Sequence, residues 1–548
     1  MSQLNIFTRR SFCTTTFKAG MLAAAASLAN IPGIMRQALG AGGTGKKILF
    51  IWMRGANDSL NTLIPAGDIS YGTGIRPTIA IPMDAASSFY TQPGACFDPT
   101  QYSTSGGTLR NASDRTFLYG NAIPLGNGFA ALHPSLKFLA PVYNAGQLVV
   151  THRVGYPRQS RSHFDSQNYW ENGSPNNNLV KDGIFYRAIL ESGLTQTNSL
   201  TGITFQSTLP LFLRGSAVAM TNLSDINRYK MLGLPGTTGV NKAKNALTSA
   251  NNMTFTDKQS REMLKAQYDN FLRTLPLFES IAADMASSVF TDATTTDGDF
   301  AYNLFPNSNI TNGGYQRSPG VFDANKYVVD TNAYGFFNNL KAAAMVLERT
   351  DAVIGGVELT GFDTHSSQGQ LDGTHPNLMR RLGWAIYALR RYFERSGSQL
   401  SWNNLVVVTL SEFGRTTVEN SDKGTDHAEA GAMMIAGGAV KGYQAGVRSG
   451  VRACGGPTDP VPWIPGPANQ GGSIDGTMFG VSDRYLKRAV DYRSVFGEII
   501  RDHLLGDADD TRLRRIIPAY QSEATEKLKL GGTSGVDGTP IIGELDVV

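Results

Sequence analysis

Carboxylates, imidazoles and one serine occur in four short segments of the sequence, each of which follows an apolar run. The residues are Asp58; Ser162 and His163; Asp363 and His365; and Glu412, Asp426 and His427. Zinc and manganese accept imidazole together with carboxylate, whereas calcium and magnesium prefer oxygen ligands alone. The four segments therefore predict a site for one or two divalent ions, with zinc or manganese favoured and calcium or magnesium possible.

The clearest of these segments lies at residues 403–438. Its apolar, β-branched run Leu405–Leu410 is typical of a strand that is buried on both faces of a parallel sheet. Glu412 and Arg415 follow this run directly, and open α/β sheets bind ligands in the crevice beyond the carboxyl ends of their strands. The short apolar run at residues 432–436 predicts the next strand.

This segment resembles a motif of the alkaline phosphatase and sulfatase superfamily. There an apolar strand ends in Ser-Asp-His-Gly, and a metal-binding His follows one loop later. Residues 411–414 are similar to the first element, with Glu412 in place of Asp and Phe413 in place of His, and His427 is similar to the second. The chain is more similar still to a family of twin-arginine-exported bacterial proteins, domain of unknown function 1501, whose Ser-Glu-Phe-Gly-Arg and Thr-Asp-His motifs are both present.

The resemblance implies an α/β fold with three layers, α/β/α, around a mostly parallel sheet, alkaline phosphatase-like and carrying an inserted cap. By the same resemblance, Asp58 corresponds to a metal ligand at the end of the first strand. Ser162 corresponds to the nucleophile at a helix start after the second strand. His163 would transfer a proton or bind metal, and Arg161 or Arg415 would bind the non-bridging oxygens of an ester.

The implied ligands divide into two metal sites. One would use Asp363, His365 and His427, and the other Asp58, Glu412 and Asp426. Because Phe413 stands where the superfamily has a ligand of the second site, a single ion is the alternative. His365 follows Asp363 by two positions, where the superfamily spacing is four.

Local structure offers other roles for two of these residues. Asp58 could form an Asx-turn or cap a helix. Ser162 has an acidic residue, Asp165, three positions later, which is the spacing of a capping box. A capping hydroxyl also lies at the positive end of the helix dipole, where a transferred phosphoryl or sulfuryl group is stabilised.

Residues 1–41 predict a twin-arginine signal peptide. Arg9 and Arg10 precede Ser-Phe, and an Ala-rich run occupies residues 19–31. The chain has a formal net charge of +4, and these residues hold four basic side chains and no acidic one, so the mature chain is formally neutral. A neutral chain without a basic cluster predicts no nucleic-acid partner, and no mature segment is apolar enough for stable membrane insertion.

The remaining chain is predicted to form one domain, residues 45–522, with residues 176–333 as a cap or insertion and residues 523–548 as a loose tail. Its core strands are expected at residues 46–53, 147–154, 352–359 and 405–410, with their carboxyl ends at one crevice. Cys96 and Cys454 lie in loops and could pair in an oxidising compartment. His503 is expected at the surface of the last helix.

Together these features predict a protein exported by the twin-arginine machinery to the periplasm or beyond. Its predicted activity is metal-dependent hydrolysis of phosphate or sulfate esters, by a serine nucleophile or a metal-bound water. The substrate would be a small-molecule or glycan ester. The alternative is a non-catalytic envelope binding protein that holds a glycan or a surface polymer on the same fold.

Overall fold

The computed structural model describes most of the chain between residues 45 and 548. The described residues are 45–83, 94–96, 98, 120–194, 200–216, 218, 220–229, 231, 234–251, 259–292, 302–307, 331–456, 458, 459, 461–463, 485, 486, 488–506, 509–518, 520 and 544–548. The predicted signal peptide lies outside the described residues, as does most of the predicted tail.

Fourteen strands occur in the described residues. They are β1 (Lys47–Arg54), β2 (Leu63–Ile64), β3 (Ile123–Pro124), β4 (Ala131–Leu132), β5 (Leu148–Gly155), β6 (Gly202–Phe205), β7 (Thr221–Leu223), β8 (Thr291–Asp292), β9 (Tyr302–Asn303), β10 (Ile354–Thr360), β11 (Leu405–Leu410), β12 (Gly431–Ala436), β13 (Val451–Arg452) and β14 (Val490–Asp491). The predicted core strands correspond to β5, β1, β10 and β11, within two residues at each end.

Ten α-helices accompany these strands in the part of the chain that the structure describes. They are α1 (Ser59–Thr62), α2 (Leu139–Asn144), α3 (His163–Asn172), α4 (Ile184–Ser192), α5 (Gly236–Asn251), α6 (Gln259–Ser287), α7 (Tyr334–Arg349), α8 (Thr374–Glu394), α9 (Tyr492–Glu498) and α10 (Asp510–Ile516). A π-helical segment, Ile499–Leu505, continues α9. None of the described helices is both long enough and apolar enough to cross a bilayer.

Nine of the strands form one sheet, in the order β13-β5-β12-β11-β1-β10-β6-β7, with β14 also beside β5. Strand β1 is parallel to both of its neighbours, β10 and β11, and β6 and β7 continue the parallel part. Strand β12 is antiparallel to both β11 and β5. Because β12 reverses between them, β5 and β11 run the same way. The sheet is mixed and mostly parallel, as predicted.

Both faces of this sheet are buried. Along β1, Leu49 and Ile51 belong to one hydrophobic core, while Ile48 and Phe50 belong to another. The first core includes the apolar sides of α7 and α8, and the second includes those of α3, α4 and α9. Side chains alternate between the two faces of a strand, so the continuous apolar run of β1 supplies both cores. The result is a three-layer α/β/α arrangement.

Part of the region predicted as a cap belongs to the main sheet. Strands β6 and β7 lie within residues 176–333, yet β6 pairs with β10 and β7 pairs with β6, so both extend the main sheet. Helix α4, also in this range, packs its buried face against the second core. Residues 176–333 thus contribute two strands to the main sheet, which the sequence did not predict because strands of only four and three residues carry little periodic signal.

Two smaller expectations, for the tail and for His503, also differ from the structure. The last five residues of the predicted loose tail are packed, with Val547 fully buried and its carbonyl accepting from the Lys441 backbone N–H at 2.8 Å. His503 is buried rather than exposed, and its Nε2 donates to the carbonyl of Lys47 at 2.9 Å. Cys96 and Cys454 are both buried and are not joined by a disulfide.

Candidate metal centre

The loops that follow β1, β5, β10 and β11 lie at the carboxyl edge of the sheet. Arg415, whose side chain is completely buried, connects several of them. Its Nε donates to the carbonyl of Ala56 at 2.9 Å, and its Nη1 to that of Thr425 at 2.9 Å. Its Nη2 donates to the carbonyl of Phe362 at 3.3 Å and to the carboxylate of Asp363. The guanidinium thereby fixes the loop after β1 against those after β10 and β11.

Four side chains converge above this guanidinium. Single ligand atoms of His163, Asp363 and His427 all lie within 4.8 Å of one another. The Nε2 of His427 is 3.1 Å from Nε2 of His163 and 3.3 Å from Oδ1 of Asp363. His365 joins them, with its Nε2 at 2.8 Å from Nε2 of His427 and 3.0 Å from Oδ1 of Asp363. We call these four residues the ligand group.

The spacing of the ligand group suits a small cation. Nitrogen and oxygen atoms about 2.0–2.1 Å from a tetrahedral zinc ion are about 3.3 Å from one another. Asp363 and Nε2 of His427 lie 2.8 to 3.6 Å from each other and from the Nε2 atoms of the other two histidines, a range that brackets that value. The group could therefore hold one divalent ion.

The outward nitrogens of the three imidazoles assign their tautomers. Nδ1 of His427 lies 2.9 Å from the carbonyl oxygen of Arg161, which can only accept, so this nitrogen carries a hydrogen. Nδ1 of His163 is 2.8 Å from a carboxylate oxygen of Glu412. Neutral imidazoles protonated at Nδ1 have their lone pair on Nε2. At least these two lone pairs face the centre of the group.

His365 also has an acceptor near its Nδ1, at a longer distance. Its Nδ1 lies 3.4 Å from Oδ1 of Asp426, which also accepts from the amide of Asn420 at 2.9 Å. Metal-bound histidines typically donate their second N–H to a carboxylate or a carbonyl, which fixes the ring and makes the ligand nitrogen more basic. All three imidazoles of the ligand group have such an acceptor.

The titration of these histidines depends on their individual neighbours. The hydrogen bond to Glu412 raises the pKa of His163, although its partial burial opposes this. Burial, followed by the charge of Arg415, lowers the pKa of His427. A proton on His163 could bridge to the lone pair of His427, and a metal cation would compete with that proton. Metal binding at this group is therefore expected to weaken in acid.

Asp363 and Glu412 remain ionised. Burial alone would raise the pKa of Asp363, but the hydrogen bond and charge of Arg415 outweigh it, and the pKa is lowered. Burial likewise opposes ionisation of Glu412, but its hydrogen bonds, that to His163 foremost, lower its pKa. The ligand group thus comprises three imidazoles and one carboxylate.

Phe413 packs against the ligand group from below. Its ring centroid lies 4.9 Å from those of both His163 and His427, and the side chain is fully buried. Its packing supports the rings of both histidines.

Asp58 lies outside the ligand group, contrary to the expectation. Its side chain is fully buried, and its two oxygens accept from Nη1 and Nη2 of Arg76 at 2.6 and 3.1 Å. Gln368 donates to the same carboxylate at 2.6 Å. Burial opposes ionisation, but Arg76 lowers the pKa of Asp58. The guanidinium of Arg76 thus pairs with the carboxylate that was expected to bind a second metal ion. The sequence did not reveal this pairing, because Arg76 lies in a loop without a periodic pattern.

Glu412 and Asp426 also differ from their expected role as ligands. Oε1 of Glu412 accepts from His163, from the backbone N–H of Gly55 at 2.9 Å and from Gln167 at 3.1 Å. Asp426 contacts the ligand group through Nδ1 of His365. Both carboxylates orient imidazoles, and neither is placed as a ligand of the same centre.

The predicted catalytic residues occupy two different settings. Ser162 caps α3, and its Oγ accepts from the backbone N–H of Asp165 at 3.4 Å, as the capping-box spacing predicted. Arg161 is exposed, and its guanidinium lies 4.4 Å from the ring centroid of Tyr485. Arg415 is buried among backbone carbonyls and Asp363, so it supports the ligand group and does not face solvent.

One comparison with known proteins gives a match. The family model described as protein of unknown function, DUF1501, matches residues 45–447, well over half of the chain. The protein belongs to this family. The matched residues include every member of the ligand group and the sheet from β1 to β12. No curated protein and no solved structure matches the chain.

Proposed function

We propose that this member of the DUF1501 family is an exported, metal-dependent hydrolase of phosphate or sulfate esters. The observation that supports the proposal is the ligand group. Three imidazoles direct their Nε2 atoms toward one carboxylate, that of Asp363, at 3.0 to 3.6 Å, and each has an acceptor behind its Nδ1. This combination is the donor set of a divalent metal site with its supporting shell.

The proposed centre holds one ion, zinc or manganese, through His163, Asp363, His365 and His427. Asp58 is neutralised by Arg76 and so leaves no carboxylate for a second ion. A divalent ion in the group would polarise an ester oxygen and make a nearby hydroxyl more acidic. With one anionic ligand, the loaded centre would keep a net positive charge, which favours an anionic ester over a neutral one.

Ser162 is the proposed nucleophile because it directly precedes His163 at the start of α3. Backbone N–H groups at a helix start and the helix dipole stabilise a transferred anionic group. A water molecule is the alternative nucleophile, and Ser162 would then serve only as the helix cap. Arg161, exposed beside His163, is the proposed contact for the non-bridging oxygens of the substrate.

The test is hydrolysis of 4-nitrophenyl phosphate and of 4-nitrophenyl sulfate by the chain loaded with one equivalent of zinc or manganese. The proposal predicts release of 4-nitrophenol from at least one ester. It also predicts that His427→Ala abolishes this activity, since the change removes a ligand. Ser162→Ala should abolish hydrolysis while retaining the bound metal, because only a hydroxyl is lost.

The outcomes separate the alternatives. Hydrolysis at the parental rate by Ser162→Ala would assign the attack to water and leave the serine as a helix cap. Stoichiometric metal without hydrolysis of either ester would contradict the hydrolase and favour a binding protein for a glycan or a surface polymer.

Export is tested separately from the chemistry. Replacing Arg9 and Arg10 with lysines keeps the positive charge but removes the twin-arginine pattern. We expect the variant to accumulate inside cells, measured by fractionation and immunoblotting. Normal export of the lysine variant would contradict this route.

A further inference from the structure

We infer that Gln368 is a positioning residue of the metal centre, since one buried amide connects the three loops that surround the ligand group. The inference rests on the proposed metal centre and adds a role for a residue that touches no ligand atom. Gln368 is fully buried, in the loop between β10 and α8.

Both the nitrogen and the oxygen of the Gln368 amide form hydrogen bonds. Its Nε2 donates to Oδ2 of Asp58 at 2.6 Å, in the loop after β1. Its Oε1 accepts from the hydroxyl of Thr364 at 3.0 Å and from that of Thr425 at 2.8 Å. Because a carboxylate can only accept, these partners fix which end of the amide is nitrogen. The side chain therefore has one orientation.

The two threonines belong to the segments that carry the ligands. Thr364 lies between Asp363 and His365 in the chain, and Thr425 lies two residues before His427. The backbone N–H of Thr425 also donates to the carbonyl of Thr364 at 3.1 Å. The hydrogen bonds of Gln368 thus restrain both ligand-bearing segments at the point where they meet.

The third hydrogen bond of Gln368 connects it to Asp58, which is itself held in place by a buried network. Asp58 is held by Arg76, whose remaining N–H groups donate to Asn61 at 2.7 Å and to the carbonyls of Thr416 at 2.7 Å and Thr417 at 2.9 Å. Every group in this network is buried, where a satisfied hydrogen bond is strong and a broken one is costly. Asp58 and Arg76 therefore serve as the anchor, and Gln368 transmits their position to the ligand loops.

Preorganised ligands bind a metal more tightly than ligands that the metal must first order. Without the amide, both threonine hydroxyls lose their acceptor, and the segments at residues 363–365 and 425–427 gain freedom. Removal of an outer partner of a metal ligand typically weakens metal affinity by about 10–100-fold. We expect an effect at the lower end of this range, because backbone hydrogen bonds between the two segments remain.

The experiment is Gln368→Met, which keeps the length of the side chain and removes its hydrogen bonds. The zinc dissociation constant is measured by competition with a chromophoric chelator, at a temperature well below the unfolding midpoint of the metal-free protein. We expect the zinc dissociation constant of Gln368→Met to be about tenfold or more above that of the parent. A purely structural role would lower the unfolding midpoint of the metal-free protein and leave the dissociation constant of the folded chain unchanged.

Gln370→Met is the matched control. Gln370 lies in the same loop, but its amide donates to the carbonyl of Ala80 at 2.6 Å and reaches neither ligand-bearing segment. We expect it to bind zinc as the parent does. Thr425→Val removes a single hydrogen bond and should weaken zinc binding less than Gln368→Met does, which keeps the inference testable if the larger change prevents folding.

The results distinguish this inference from the metal centre itself. If His427→Ala loses zinc while Gln368→Met and Thr425→Val both bind it with parental affinity, the positioning role is wrong and the metal centre stands. If His427→Ala binds zinc as the parent does, the metal centre is wrong, and the role of Gln368 falls with it.

Discussion

At the scale of single residues, the site depends on which atom each polar side chain faces. Glu412 and Asp426 face the Nδ1 atoms of His163 and His365, so they determine which nitrogen of each ring is offered to a metal. Asp363 is the carboxylate within the group itself, and Arg415 keeps it ionised. Two carboxylates that spacing alone presented as ligands are thus acceptors behind the ligands.

Glu412→Gln is expected to weaken zinc binding by about 10–100-fold, because the neutral amide orients His163 less strongly and makes its ligand nitrogen less basic. Zinc competition measures the change. Glu394→Gln, the same substitution at an exposed position at the end of α8, is the control and should have no effect. Parental affinity in the Glu412 variant would show that this carboxylate does not support the centre.

The sequence predicted which polar residues lie close together better than it predicted what each of them contacts. The order of polar residues after apolar runs predicted the edge of the sheet where His163, Asp363, His365 and His427 meet. Spacing could not reveal that a carboxylate faces an imidazole and not a metal, because that depends on side-chain direction. It also could not pair Asp58 with Arg76, since a partner eighteen residues away in a loop leaves no periodic signal.

At the scale of elements, the site is formed by loops that approach one another unusually closely. A Cβ atom on Gly55, whose φ is +111°, would lie 2.4 Å from the backbone nitrogen of Asp363. A Cβ atom on Gly424 would lie 2.4 Å from the carbonyl oxygen of His365. The long apolar strands were predictable, whereas this loop packing and the short strands β6 and β7 depend on tertiary contacts that no local pattern records.

Gly424→Ala is therefore expected to displace the loop that carries His365 and to weaken zinc binding. It should also lower the free energy of unfolding by about 1–3 kcal/mol, the usual cost of overpacking. Zinc competition and urea unfolding measure the two effects. Gly335→Ala in α7 is the matched control, since nothing lies within 4 Å of its added Cβ, and a neutral or slightly stabilising effect is expected there. Equal behaviour of the two variants would contradict the close approach.

At the scale of the whole molecule, the seven histidines of the chain divide into two sets. Three belong to the ligand group, and the other four, His133, His152, His375 and His503, are buried. Burial lowers the pKa of His152 to about 3 and those of His375 and His503 to about 4, and it lowers the pKa of His133 as well. These four side chains are neutral in the folded protein at neutral pH.

Stability should consequently fall in acid. Between pH about 6.5, where an unfolded histidine titrates, and pH about 4, the unfolded chain binds more protons than the folded one. For each unit by which the pH falls in this range, each buried histidine lowers the free energy of unfolding by at most about 1.4 kcal/mol. Urea unfolding of chelator-treated protein from pH 7 to pH 5 measures this slope. His503→Gln should reduce the slope of unfolding free energy against pH by up to about 1.4 kcal/mol per pH unit. An unchanged slope would show that burial of His503 does not contribute to the loss of stability in acid.

The metal content of the purified chain shows whether the ligand group binds an ion. Protein expressed and purified without added metal is analysed by inductively coupled plasma mass spectrometry, beside His427→Ala and the control His503→Ala. We expect one zinc or manganese ion per chain in the parent and in His503→Ala, and none in His427→Ala, because only the latter removes a neutral nitrogen ligand. A parent chain without a bound ion, or an equal metal content in His427→Ala, would contradict the proposed metal centre.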